Sequence, residues 1–309
     1  MNRPFQAVSN SPVDKFGGTV AISTADIKQL REATGAGVLD CKKALQETNG
    51  DIEQAVEYLR KKGLAAAAKK ASREARDGLV KAVVSEDGKT AAMVKVSCET
   101  DFVARTEDFQ QFVDALLNQV LTQPAIQNKD DLLAAPFAGE PEKTVQDKVQ
   151  EIIAKLGENT IVSDAVRFEL QGEGLIDSYV HMGGRVGVLV EVGGADPSNA
   201  VFAEMVHDLA LQIAAASPRF VSEADVPADV IEAEKNIYRA QLADDPKPDN
   251  IKERIIEGKL KKWYEETVLL NQAFVKDSSL TIGQLLQKTG KEIGAELKVR
   301  RFARFELGA

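Results

Sequence analysis

The stretch CETDFVARTEDFQQFVDALLNQV, Cys98 to Val120, decides how the chain is built. Upstream of it, Leu79 to Val84 and Thr90 to Ser97 alternate in strand fashion around Glu86-Asp87-Gly88-Lys89, whose Asp-Gly is a hairpin signal. Downstream, Thr106 caps a helix bearing Phe109, Phe112, Val113, Leu116 and Val120 at helical spacing. Residues Thr100 to Arg105 therefore occupy a strand-to-helix junction, a place that commonly carries function. An acid and an aromatic, Asp101 and Phe102, stand side by side there.

The same order returns further along. Strands expected at Thr160 to Gln171, Leu175 to His181 and Arg185 to Val192 lead into a helix from about Asn199 to Ala216. Phe202, Val206, Leu209 and Ile213 follow Phe109, Val113, Leu116 and Val120 at one constant offset. Two related α+β subdomains follow from this, each burying a helix on an antiparallel sheet. Pro227 to Ala243 and Pro248 to about Val275 read instead as two long polar helices joined by Asp-Asp-Pro-Lys-Pro-Asp. Narrow stripes of Ile231, Tyr238 and Leu242 on one, and Ile256, Leu260, Trp263 and Thr267 on the other, suit an antiparallel coiled-coil hairpin. Strand-like alternation from Ala295 to Leu307 completes the second sheet.

Ahead of the core, Ser23 and Asp26 form a capping box before Ile27, Leu30 and Ala33. A second helix is expected from about Val38 to Thr48, and Asp51 caps a third carrying Ile52, Ala55, Val56 and Leu59 up to Gly63. Three helices in so short a span make a compact bundle in the manner of ubiquitin-associated domains. The predicted fold class is α+β. Its expected parts are a disordered extension over 1–21, a three-helix domain over 22–63 and an Ala-rich helical linker over 64–77. A first core subdomain over 78–158 and a second over 159–309, with the coiled-coil hairpin inserted at 227–275, follow.

Composition narrows the chemistry. The chain of 309 residues is 44% hydrophobic and 28% charged, enough to bury a substantial core. Its longest apolar runs, Gly63 to Ala68 and Val186 to Val192, fall far short of the ~20 residues that span a bilayer. No membrane segment and a cytoplasmic location are expected. Cys41 and Cys98 are isolated and lack CxxC spacing, which fits a reducing compartment and argues against a zinc site. No phosphate loop, GxSxG elbow or HExxH occurs, and Gly183, Gly184 and Gly187 miss the GxGxxG spacing. His181 and His207 have no Cys or acid at ligand spacing. No catalytic residue, metal or cofactor is expected, and the chain reads as a protein that acts on another protein.

A net charge of −9 weighs against nucleic acid as the main partner. The local exception is Arg60, Lys61, Lys62, Lys69, Lys70, Arg73 and Arg76, set against Glu74 alone between Tyr58 and Asp77. It reads first as a solvated helix face and second as a contact for RNA or an acidic protein.

Four motifs share one resemblance. TGAGVLDCKKAL (Thr34 to Leu45), NGDIEQAVEYLRKKG (Asn49 to Gly63), CETDFVAR (Cys98 to Arg105) and HMGGRVGVLVEV (His181 to Val192) resemble the bacterial elongation factor Ts family. The resemblance runs from about Val20 to Leu307 with the motifs in order. It implies a guanine-nucleotide exchange factor that binds elongation factor Tu-GDP and promotes GDP release, with no covalent chemistry. It further implies that Asp101 and Phe102, within Thr100 to Val103, press between helices of the partner's GTPase domain. Lys42, Val186 and Gly187 match further contact positions, and Val275 and Lys276 match a region that touches the partner's far domain. Two departures stand out: Lys276 replaces an apolar residue of some members, and Gln212 stands where some place a histidine. Glutamine keeps a hydrogen-bond donor but cannot become cationic. No helical module is expected after RRFARFELGA. A homodimer is one further option. The rival readings are an RNA- or ribosome-associated protein using the basic linker helix, and a small-molecule site around His181 and Gly183.

Overall fold

In the computed structural model, which describes residues 22–34 and 36–308, Ser23 and Asp26 start the first helix by capping one another. The Ser23 N–H donates to Asp26 Oδ2 at 3.1 Å, and the Asp26 N–H donates to Ser23 Oγ at 3.0 Å. The extension expected over 1–21 lies outside the described residues. The chain divides into two units, one ending at Ala66 and one beginning at Ala67.

The first unit holds α1 (Thr24–Thr34), α2 (Val38–Glu47) and most of α3 (Ile52–Lys70). Leu30, Cys41, Ala44, Leu45 and Ala55 close its small core. The third helix does not stop at Gly63. One interior glycine costs about 1 kcal/mol, and the run of Ala and Lys that follows has the propensity to carry the helix past it. The expected linker is thus helical only to Lys70, and β1 begins at Asp77.

The second unit is built twice over. In its first half, β1 (Asp77–Val84) and β2 (Thr90–Cys98) form the hairpin, followed by α4 (Asp101–Ala104), α5 (Glu107–Thr122) and α6 (Lys129–Ala134). A small hairpin of β3 (Pro136–Phe137) and β4 (Glu140–Thr144), then α7 (Val145–Leu156), leads to β5 (Thr160–Glu169). The second half runs β6 (Gly174–His181), β7 (Val186–Gly193), α8 (Ala200–Ala216), α9 (Ala228–Gln241) and α10 (Asp249–Thr267). It closes with β8 (Ala273–Phe274), β9 (Asp277–Thr281), α11 (Ile282–Ile293) and β10 (Lys298–Glu306).

The sheets are antiparallel, ordered β1-β2-β5 and β10-β7-β6. The strand at 160–169 pairs with β2, so the boundary expected at 158/159 cuts β5 away from its own sheet. Its alternation alone does not name the partner. The coiled-coil reading also changes at one end: α10 stops at Thr267 and a tight turn over Leu269–Asn271 leads into β8, because Val268, Leu269 and Phe274 are drawn into the core.

Period-two alternation explains the layering. On β2, Ala92, Val94, Val96 and Cys98 face the core beneath α5, while Ala91 and Met93 face the other way. On β7, Val188, Val190 and Val192 face the core beneath α8, and Leu189 turns to join Val80, Met93, Phe168 and Ile176. Both central strands are buried on two faces, giving a helix, sheet, sheet, helix sandwich.

The repeat is visible in backbone detail. Gly78 and Gly174, the second residue of β1 and the first of β6, have φ of +140° and +156°. A Cβ would come within 2.1 Å of the Val96 carbonyl oxygen at Gly78 and within 2.3 Å of that of Val192 at Gly174. The hairpins β3–β4 and β8–β9 share one irregular register, Pro136 with Thr144 and Phe137 with Glu140 against Ala273 with Thr281 and Phe274 with Asp277. Thr144 and Thr281 then cap α7 and α11 with matching capping boxes. Among the described residues the halves differ most where α4 has no counterpart in the second and the α9–α10 pair has none in the first.

Candidate partner-binding surface

Phe102 is 80% exposed, on a single helical turn fixed at both ends. The Thr100 hydroxyl accepts from the Val103 N–H at 3.4 Å, and the Thr106 hydroxyl donates to the Val103 carbonyl at 2.7 Å. Thr100 is itself held from behind, its N–H donating to Glu158 Oε2 at 3.0 Å and its hydroxyl to Glu158 Oε1 at 2.7 Å. One residue earlier, Glu99 accepts from the Asn159 N–H at 2.7 Å and pairs with Arg73 at 3.5 Å. Ala104 is buried and Val103 packs on the first core, so the turn points two side chains inward and Phe102 outward. Asp101 is half-exposed and paired with Arg105 at 2.8 Å. An apolar ring held in water forgoes about 1.5–3 kcal/mol that burial would return, and a covering surface would recover it.

Val275 and Lys276 sit at the turn of the β8–β9 hairpin, with Val275 52% exposed. Lys276 Nζ lies 2.6 Å from Asp208 Oδ1 on α8, and this bond raises the Lys276 pKa above the ordinary lysine value. In the first unit, Cys41, Ala44 and Leu45 turn α2 inward, which leaves Lys42 exposed beside Leu39, itself 83% exposed, and Val38. Sequence reasoning missed Leu39. Its signal was available in Lys42 and Lys43, the residues three and four positions on, which mark that helix face as outward.

Three expected contact residues lie inside the molecule. Val186 and Gly187 are buried at the start of β7, and a Cβ on Gly187 would meet Val80 Cγ1 at 2.4 Å and Met93 Sδ at 2.9 Å. That glycine lets the two sheets approach one another. Gln212 has 0% exposure, its amide donating to Gln272 Oε1 at 3.1 Å and to the Ala273 carbonyl at 3.2 Å. Its Oε1 accepts the Val275 N–H at 2.8 Å. A hydrogen-bonding side chain on an otherwise apolar helix reads as available in sequence, yet here the backbone of the next hairpin consumes its capacity.

The rival sites find less support. His181 Nδ1 lies 2.8 Å from the Tyr179 hydroxyl, and His207 Nδ1 lies 2.8 Å from Asp177 Oδ2. No metal-binding cluster occurs among the described residues. A surface cavity of about 480 Å3 is lined by Glu74, Arg76, Lys95, Ser97, Ser163 and Glu306, and by neither histidine. In the basic stretch, Lys61 pairs with Glu57, Lys62 with Asp40, Arg73 with Glu99 and Arg76 with Glu74. No helix among the described residues is long and apolar enough to cross a membrane.

Residues 99–309 match the family model described as Elongation factor TS, and residues 23–62 match that of a UBA-like domain. The chain belongs to the elongation factor Ts family. It is 49% identical over 293 residues to elongation factor Ts of Trichlorobacter lovleyi, covering 94% of this chain and 93% of that one. Elongation factor Ts of Clostridium perfringens is 47% identical over 287 residues, 93% of each chain. That of Aquifex aeolicus is 45% identical over 293 residues, 94% of this chain and 99% of its own. Membership makes the chain a translation elongation factor of α+β architecture with a UBA-like N-terminal domain.

Proposed function

We propose that this chain binds elongation factor Tu in its GDP-bound form and hastens GDP release, making and breaking no covalent bond and needing no cofactor. The observation that carries the reading is Phe102, a large apolar ring held 80% exposed on a braced turn. Scattered exposed apolar residues are ordinary, but one that is braced by a carboxylate and followed by a capped helix is organised for contact. Asp101 and Thr100 would accompany it, with Lys42 and the Val275–Lys276 turn as further contacts in the cytoplasm.

Magnitude shapes the mechanism. A ten-thousandfold acceleration corresponds to about 5.5 kcal/mol, whereas covering one phenylalanine yields about 1.5–3 kcal/mol. Phe102 therefore acts as the tip of a broader interface, and factor and nucleotide weaken each other's hold on the shared GTPase by equal amounts. Four of the seven cations of the basic stretch, Lys61, Lys62, Arg73 and Arg76, are already paired with acids, which lessens the charge open to the RNA-binding alternative. Stopped-flow release of a fluorescent GDP from elongation factor Tu tests the proposal. Release accelerated in proportion to added protein supports it. Release no faster than in buffer would overturn it.

A further inference from the structure

Gln212 and Gln272 form a buried amide pair that the first half of the second unit lacks. In that half, Gln119 on α5 stands at the same offset from Gln212 as Phe109 does from Phe202. It makes the same clamp: its amide donates to the Pro136 carbonyl at 2.8 Å and its Oε1 accepts the Ala138 N–H at 3.0 Å. Gln212 does this to Ala273 and Val275. At the place of Gln272, however, the first half has Ala135, by the offset that takes Phe137 to Phe274.

The added amide reaches outward from the clamp. Gln272 is 3% exposed, and its Nε2 donates to the Ala216 carbonyl at the end of α8 at 3.1 Å and to the Glu266 carbonyl at the end of α10 at 2.8 Å. The root of the inserted helix pair, the end of α8 and the turn carrying Val275 and Lys276 are thereby joined through two side chains. Only the half with the insertion has this junction.

We infer that Gln212 and Gln272 are positioning residues: they touch no partner, and they hold the Val275–Lys276 turn and the base of the α9–α10 hairpin in one fixed relation for docking. This rests on the role proposed above for that turn. Glutamine suits the task because its carbonyl and amide sit on one rigid plane and meet a backbone N–H and a backbone carbonyl together.

The test compares Gln212→Ala, Gln272→Ala and Gln119→Ala in the full chain. Gln272→Ala gives the second half the residue that the first half carries at that place, and urea unfolding checks that the fold is kept. Amide hydrogen exchange at Val275 is read without any partner, and GDP release is titrated against elongation factor Tu-GDP. We expect Gln212→Ala and Gln272→Ala to speed Val275 exchange about tenfold and to raise the half-saturating concentration about tenfold, the worth of one buried hydrogen bond, with the saturating rate unchanged. Gln119→Ala should speed exchange at Ala138 and leave both release parameters alone. A lowered saturating rate with Val275 exchange unchanged would mean that Gln212 meets the partner directly and would overturn the inference. So would a shift in half-saturation as large in Gln119→Ala as in Gln212→Ala. If the unaltered chain releases no GDP, the proposed function fails, while the exchange measurements still decide whether the clamp exists.

Discussion

Thr100 and Glu158 are joined twice, backbone N–H to Oε2 at 3.0 Å and hydroxyl to Oε1 at 2.7 Å, across the gap between the end of β2 and the start of β5. Glu158 follows Gly157, the left-handed residue that ends α7, so the end of α7 sets this carboxylate behind the α4 turn while the α6–α7 segment itself packs on the first core. Hydrogen bonds to a charged group are worth about 1.5–3 kcal/mol each. Glu158→Ala should therefore lower the GDP-release rate by at least about tenfold. In a Phe102→Ala background the same change should have a smaller further effect, since the turn then aims only Thr100 and Asp101. Additive losses in this double-mutant cycle would show that Glu158 acts elsewhere.

Phe102→Ala separates function from folding. An exposed side chain contributes little to the native state, so the urea midpoint should move by less than about 0.5 kcal/mol equivalent. The release rate should fall roughly ten- to a hundredfold, the kinetic equivalent of covering one phenylalanine, while complex formation partly survives. An unchanged rate would remove Phe102 from the mechanism, and a large loss of stability would mean that the ring packs on its own protein.

Glu191 offers the opposite case. It has 0% exposure and lies 3.1 Å from Arg300 Nη1 and 2.7 Å from Arg301 Nε, with the Gln171 N–H donating to it at 2.9 Å. The two arginines also reach the Glu173 and Glu169 carbonyls, at 2.8 and 2.7 Å, which staples the β5–β6 connection to the bulge in β10. Removing the carboxylate leaves two partly buried guanidiniums and the Gln171 N–H without their shared partner. Glu191→Ala should cost about 1.5–3 kcal/mol in urea unfolding, and a loss under about 1 kcal/mol would mean that the arginines find water instead.

Much of this architecture was legible in residue order. The spacing of Phe109, Val113, Leu116 and Val120 and its recurrence from Phe202 announced the duplication, because helix burial demands that period. The elements between residues 123 and 158 were not foreseen, because β3 and β4 are too short for alternation to declare them. The partner of β5 was hidden for another reason: alternation fixes which face a residue takes, not which strand lies beside it. At the site, Asp101 and Phe102 stood out at a strand-to-helix junction. Gln212 and Gly187 are named as contact positions by the resemblance alone, because a polar amide and a glycine carry no mark of what surrounds them, and their burial depends on backbone and strands far along the chain.

Cys98 reports on the same brace through pH. Its thiol is fully buried and donates to the Thr100 carbonyl at 3.2 Å, and its pKa is pushed up to about 12, first by burial and then by the Glu158 charge. The native state thus keeps this proton where an unfolded thiol, near 9.0, would lose it. The associated stabilisation is complete below about pH 9 and is lost as pH rises towards about 12. At pH 8, iodoacetamide should spare Cys98 in the folded protein and modify it rapidly in urea. In Glu158→Gln the neighbouring negative charge is gone, so the pH at which the folded thiol begins to react should move down. An unmoved profile would mean that burial alone sets the thiol and that Glu158 does not sit behind the turn in solution.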